Sequence, residues 1–91
     1  MTKYRTLSAS ADTAARLGRA IASPIRVRAL QALRHGELCL CELTALFGLA
    51  DSTVSKHMSV LGDVGLVQSR RDGRWTHYAL PEDPAPEVAE M

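Results

Sequence analysis

Ninety-one residues make one small domain with little room for a second core. Hydrophobic residues are 46%, charged residues 23% and aromatic residues 4%, which argues against an aromatic binding platform and a large β-sandwich. The net charge of +1 hides an asymmetry: residues 1–80 carry +5, and residues 81–91 carry −4 and three prolines. A moderately basic body is compatible with nucleic acid as a partner. A chain of this size buries roughly 60–65% of its unfolded surface, so a partner subunit, a metal or a disulfide often supports such folds. No run reaches transmembrane length and no apolar signal region precedes the body, so the chain reads as cytoplasmic, with no membrane partner and with reduced thiols.

Residues 8–22 predict a first helix, with Ser8 or Ser10 as cap, Asp12 in the first turn, and Ala14, Leu17 and Ile21 at helical spacing. Ser23-Pro24 starts a second helix, Ser as N-cap and Pro at the first helical position. Val27, Leu30 and Leu33 give it an apolar stripe, and Gly36 stops it. A third helix runs from Leu40 or Cys41 to Phe47, where Gly48-Leu49-Ala50 turns the chain. Asp51 or Ser52 caps a fourth helix, whose Val54, Met58 and Leu61 face inward until Gly65 ends it. Residues 40–65 therefore form a helix-turn-helix. In residues 66–80 the period changes to two short extended runs around Asp72-Gly73, a hairpin signal in which both turn positions take positive φ. The fold class is mainly α with a small β-hairpin: a winged helix-turn-helix over residues 1–80, then an acidic Pro-rich tail or short C-terminal helix over residues 81–91, centred on 86–90.

The fourth helix opens with Ser52, Thr53, Ser55, Lys56 and His57. Small hydroxyl residues at a helix N-terminus allow close approach to double-stranded DNA and bond phosphates or base edges. Lys56 and His57 are expected on the side away from the Val54/Met58 stripe. Arg70, Arg71 and Arg74 flank the hairpin turn, and Arg71 and Arg74, next to its tip, are placed to neutralise phosphates. Capping chemistry and ordinary surface charge are the competing explanations of these two groups. Trp75 and Tyr78 are expected to pack the hairpin onto the helices.

Cys39 and Cys41 form the other candidate site. A thiol near a helix N-terminus has a lowered pKa. Two thiolates on one short segment suit a soft ion better than Ca²⁺ or Mg²⁺ but cannot complete a tetrahedral zinc site. Two small buried hydrophobes are the bland alternative. A disulfide looks unfavourable, because in an extended chain these Cα atoms lie near the upper bridging limit. No nucleophile–base constellation, phosphate loop or carboxylate pair supports an enzyme.

The segments Glu37-Leu38-Cys39-Leu40-Cys41-Glu42-Leu43, Ser52-Thr53-Val54-Ser55-Lys56-His57-Met58, Gly65-Leu66-Val67 and residues 71–80 together resemble the ArsR/SmtB metalloregulators, and arsenical-resistance repressors in particular. The resemblance covers roughly residues 10–80. It implies a homodimer that binds an inverted-repeat operator, with residues 8–22 as the dimerisation helix. It also implies release by arsenite or antimonite, As(III) or Sb(III), held by Cys39 and Cys41, and no resident cofactor. The family's third thiolate position is Thr44 here, so one chain offers two thiolates and a third ligand comes from elsewhere. Residues 1–36 lack the arm cysteines of cadmium sensors, and residues 81–91 lack the histidines of nickel, cobalt and zinc sensors. Ala50 replaces the usual hydroxyl cap, which hands capping to Asp51, and Gly62 replaces a long polar residue. The chain stops soon after the wing, which places more of the dimer on residues 8–22. A thiol redox or other soft-metal regulator using the same cysteines is the alternative, and a thiol-metal carrier without DNA the third reading.

Overall fold

The structure is a computed structural model that describes residues 2–82, with side chains from Ser10 onward. Its elements are α1 (Thr2–Ala20), α2 (Pro24–Leu33), β1 (Leu38–Cys39), α3 (Leu40–Phe47), α4 (Asp51–Asp63), β2 (Gln68–Asp72) and β3 (Trp75–Ala79). The expected C-terminal helix at 86–90 lies outside the described residues.

The first helix starts before residue 8 and ends at Ala20. Ser8 and Ser10 lie inside it, not at its start. Its end comes early because the chain must turn before Ser23, whose extended backbone (φ −138°) and side chain accepting the Arg26 N–H at 3.4 Å start α2. Of the expected stripe, only Leu17 is buried; Ala14 and Ile21 are exposed. Outside Leu17 and Ala20, α1 buries no described side chain in its own chain.

The helix-turn-helix forms where the sequence places it. Gly48 takes the left-handed conformation (φ 65°) and donates its N–H to the Thr44 carbonyl at 2.8 Å, which closes α3. Neither Asp51 nor Ser52 caps α4. The cap position is Ala50, which has no side chain for the purpose. Its carbonyl accepts the N–H groups of Thr53 (3.1 Å) and Val54 (3.0 Å), so the helix begins before either predicted cap. Asp51 becomes the first helical residue, where its charge opposes the positive helix end. Val54, Met58 and Leu61 are buried, joined by Ala20, Ala29, Leu33, Leu43, Val67 and Tyr78 in one core.

The hairpin is present, but its turn is one residue later than the Asp-Gly signal implies. Asp72 pairs with Trp75, so Gly73-Arg74 is the two-residue loop. Only Gly73 has positive φ (62°), and Asp72 stays in the ladder. A glycine at the first loop position is the demand of a II′ turn, not of the I′ turn expected. The residues just before α3 supply a third strand, giving the antiparallel order β1-β3-β2 with Leu38 opposite Tyr78 and Cys39 opposite His77. Trp75 does not pack onto the helices. Trp75 and Tyr78 are three residues apart in one strand, hence on opposite faces. Tyr78 is 7% exposed and Trp75 52%.

Candidate functional site

α4 carries Ser52, Thr53 and Lys56 exposed, with Ser55 half-buried. No side chain caps this helix, and its first turn carries the open, positive N–H groups of a helix start. His57 departs from expectation. It is half-buried, and its Nδ1 lies 3.0 Å from an Arg26 guanidinium nitrogen of α2. Arg26 also donates to the carbonyls of Ala20 (2.6 Å) and Arg19 (3.1 Å), the C-terminal end of α1. One side chain thus joins α1, α2 and α4. The sequence holds no signal for this, because the partners are 31 residues apart.

On the wing, Arg71 and Arg74 are exposed, Arg71 in β2 and Arg74 in the turn itself. Arg70, their neighbour, is engaged elsewhere. It donates to Glu37 Oε1 at 2.6 Å, and His77 Nδ1 lies 3.6 Å from the same oxygen. The hydrogen bond from Arg70 holds the Glu37 carboxyl below the usual carboxylate range. This cluster fastens the segment before β1 to the wing. It follows from β1, which sequence alone does not reveal because two residues carry no period.

Cys39 closes β1 and is the N-cap of α3. Its Sγ accepts the Glu42 N–H at 3.4 Å, and its own N–H donates to Glu42 Oε1 at 2.9 Å. This is a capping box with sulfur in place of a hydroxyl oxygen. Cys39 is buried and Cys41 exposed. The two sulfurs are joined as a disulfide, with the Cα atoms 5.3 Å apart. The extended-chain estimate fails here because the strand ends at Cys39 and the helix begins at Leu40, so the chain contracts between the two cysteines. The same approach lets two thiolates share one soft ion in the reduced chain. The Thr44 hydroxyl donates to the Cys41 carbonyl at 2.8 Å. Among the described residues no set of three His, Cys, Asp or Glu side chains can surround a metal ion, so the pair supplies two ligands and no more. No helix among the described residues is long and apolar enough to cross a membrane.

Residues 23–69 match the family described as bacterial regulatory protein, arsR family. The chain is 39% identical over 80 residues to a probable mercury resistance operon repressor of Streptomyces lividans, covering 88% of this chain and 62% of that protein. It is 44% identical over 52 residues to an arsenic resistance transcriptional regulator of Pseudomonas putida, covering 56% of this chain and 41% of that one. The chain thus spans about half the length of these relatives. Among solved structures, a homodimeric winged helix-turn-helix DNA-binding domain from Mycobacterium bovis superposes with a TM-score of 0.75 at 32% identity, covering 80% of this chain and 68% of that chain. With the helix-turn-helix and wing in place and the match running from α2 through the whole helix-turn-helix, this chain belongs to the arsR family of bacterial regulatory proteins.

Proposed function

We propose that this chain is a homodimeric transcriptional repressor that binds operator DNA and is released when As(III) or Sb(III) bonds Cys39 and Cys41. The observation that carries it is the position of the pair. Cys39 is both the end of β1, paired with the wing strand, and the cap of α3, the first helix of the helix-turn-helix. A ligand that pulls the two sulfurs into its own geometry disturbs the capping box and the β1–β3 pairing together. Operator contacts come from Ser52, Thr53, Ser55, Lys56 and His57 on α4 and from Arg71 and Arg74 on the wing. Exposed Ile21 and the mostly exposed side chains of residues 10–20 leave that stretch free to meet a second copy. That the Streptomyces and Pseudomonas relatives are named for mercury and arsenic resistance supports a thiophilic inducer.

The test is a footprint on the DNA upstream of the chain's own gene, with and without arsenite, repeated with Cys39→Ser and Cys41→Ser. Both variants should protect the operator and stay bound at the arsenite concentration that releases the parent. Release of either at that concentration would remove the site assignment.

A second reading has an observation of its own. Because the sulfurs reach bonding contact, oxidation to the Cys39–Cys41 disulfide is an alternative input to the same element. Titrating operator binding with arsenite under reducing conditions, and with peroxide separately, tells the two apart.

A further inference from the structure

The Arg26 contact decides which hydrogen-bonding groups α4 offers. A guanidinium carries donors only and does not lose its proton in proteins. The nitrogen it meets at 3.0 Å, His57 Nδ1, must therefore accept. A neutral imidazole has one acceptor nitrogen, so the ring proton sits on Nε2. Among the described residues Nε2 has no partner, yet no buried side-chain nitrogen or oxygen is left unsatisfied. Nε2 thus reaches the surface, beside exposed Lys56 and one turn after exposed Thr53.

We propose that Arg26 is a positioning residue for DNA recognition. It holds the His57 ring in one orientation and one tautomer, so that α4 presents a fixed Nε2–H donor to an acceptor on the DNA, without itself touching DNA. The proposal rests on the repressor reading above. It adds a consequence for the dimer: the same guanidinium grips the last carbonyls of α1, so the helix proposed to meet the second subunit and the helix proposed to enter the DNA are tied at one side chain.

Two measurements on the full chain test it. The first is ¹⁵N NMR of the His57 imidazole without DNA, at a pH where the ring is neutral. The proposal requires the Nε2–H tautomer with Nδ1 as a hydrogen-bonded acceptor, and a changed Nδ1 shift in Arg26→Lys. An Nδ1–H tautomer in the parent would overturn it. The second is a double-mutant cycle on operator affinity, with folding of each variant checked by circular dichroism. Arg26→Lys keeps the charge but loses the fork, and should weaken binding by about tenfold, the scale of one hydrogen bond to a charged group. In a His57→Ala background the same change should cost distinctly less, because only the bonds to the α1 carbonyls are then lost. His57→Gln, which can accept from Arg26 and donate outward, should recover part of the operator affinity that His57→Ala loses. Equal losses from Arg26→Lys in both backgrounds would reduce Arg26 to a cap on α1 and defeat the proposal. If the parent binds no DNA, the repressor reading fails and the donor role with it, while the tautomer still reports whether Arg26 clamps the ring.

Discussion

Single side chains carry most of the chemistry, and Cys39 carries two roles at once. It is a candidate inducer ligand and the cap of α3. The roles separate by substitution. Cys39→Ser keeps a capping oxygen and should leave thermal stability unchanged or slightly raised, whereas Cys39→Ala removes the cap and should cost about 0.5–2 kcal/mol in denaturant unfolding. Both lose the sulfur, so both should lose arsenite response; a response that survives in the Ser variant alone would mean that the cap, not the thiolate, is the sensor. The Glu37–Arg70 pair gives a pH signature. The native Glu37 carboxyl lies below its ordinary value because Arg70 bonds it. Its contribution is therefore present above the ordinary carboxylate range and is lost as pH falls through the lowered native value. Both side chains are exposed, so the effect should be small, and Glu37→Gln should flatten that part of the stability profile. At this scale the sequence nominated candidates, Cys39, Cys41, the α4 hydroxyls and the wing arginines, and the elements that carry them. It did not show that His57 turns to Arg26, or that Arg70 turns to Glu37, since both contacts join residues more than thirty positions apart.

The elements follow local rules closely enough that glycine substitutions have opposite signs. Gly48 ends α3 at φ 65°, and a Cβ there would meet no atom within 4 Å. Gly48→Ala should cost about 1–2 kcal/mol from backbone strain alone. Gly62 lies inside α4 with ordinary φ, and an added Cβ would touch only the Val67 carbonyl oxygen at 3.9 Å. Gly62→Ala should stabilise by about 1 kcal/mol, the helix-propensity difference. Chemical denaturation of the two variants checks both signs. Helices α2, α3 and α4 were legible because their stop signals and apolar stripes agree. The hairpin was legible, but its turn type was not: Asp-Gly favours one register, and pairing of Asp72 with Trp75 imposes the other. β1 was illegible because its existence depends on β3, far along the chain.

At the level of the whole molecule, the described chain leaves α1 little to pack against. Leu17 and Ala20 are its buried residues among those whose side chains are described, and Ile21, just after it, is 40% exposed. In the proposed dimer a second copy covers this helix and adds to so small a core. Sedimentation equilibrium should show a dimer, and Ile21→Asp, a change at an exposed position, should shift it towards monomer while weakening operator binding. Net charge has the same lesson. The +1 total says nothing about partners, whereas the basic balance of residues 1–80 gives a binding body that should lose affinity for DNA steeply with salt. The central claim joins the two ends of the molecule: chemistry at Cys39 and Cys41 must be felt at α4 and the wing. Operator affinity measured by fluorescence anisotropy, as a function of arsenite under reducing conditions, tests it most directly. The account predicts tight binding without arsenite, release as arsenite is added, and no release in Cys39→Ser or Cys41→Ser. Operator binding unchanged by arsenite in the parent, or release that survives loss of either sulfur, would contradict it.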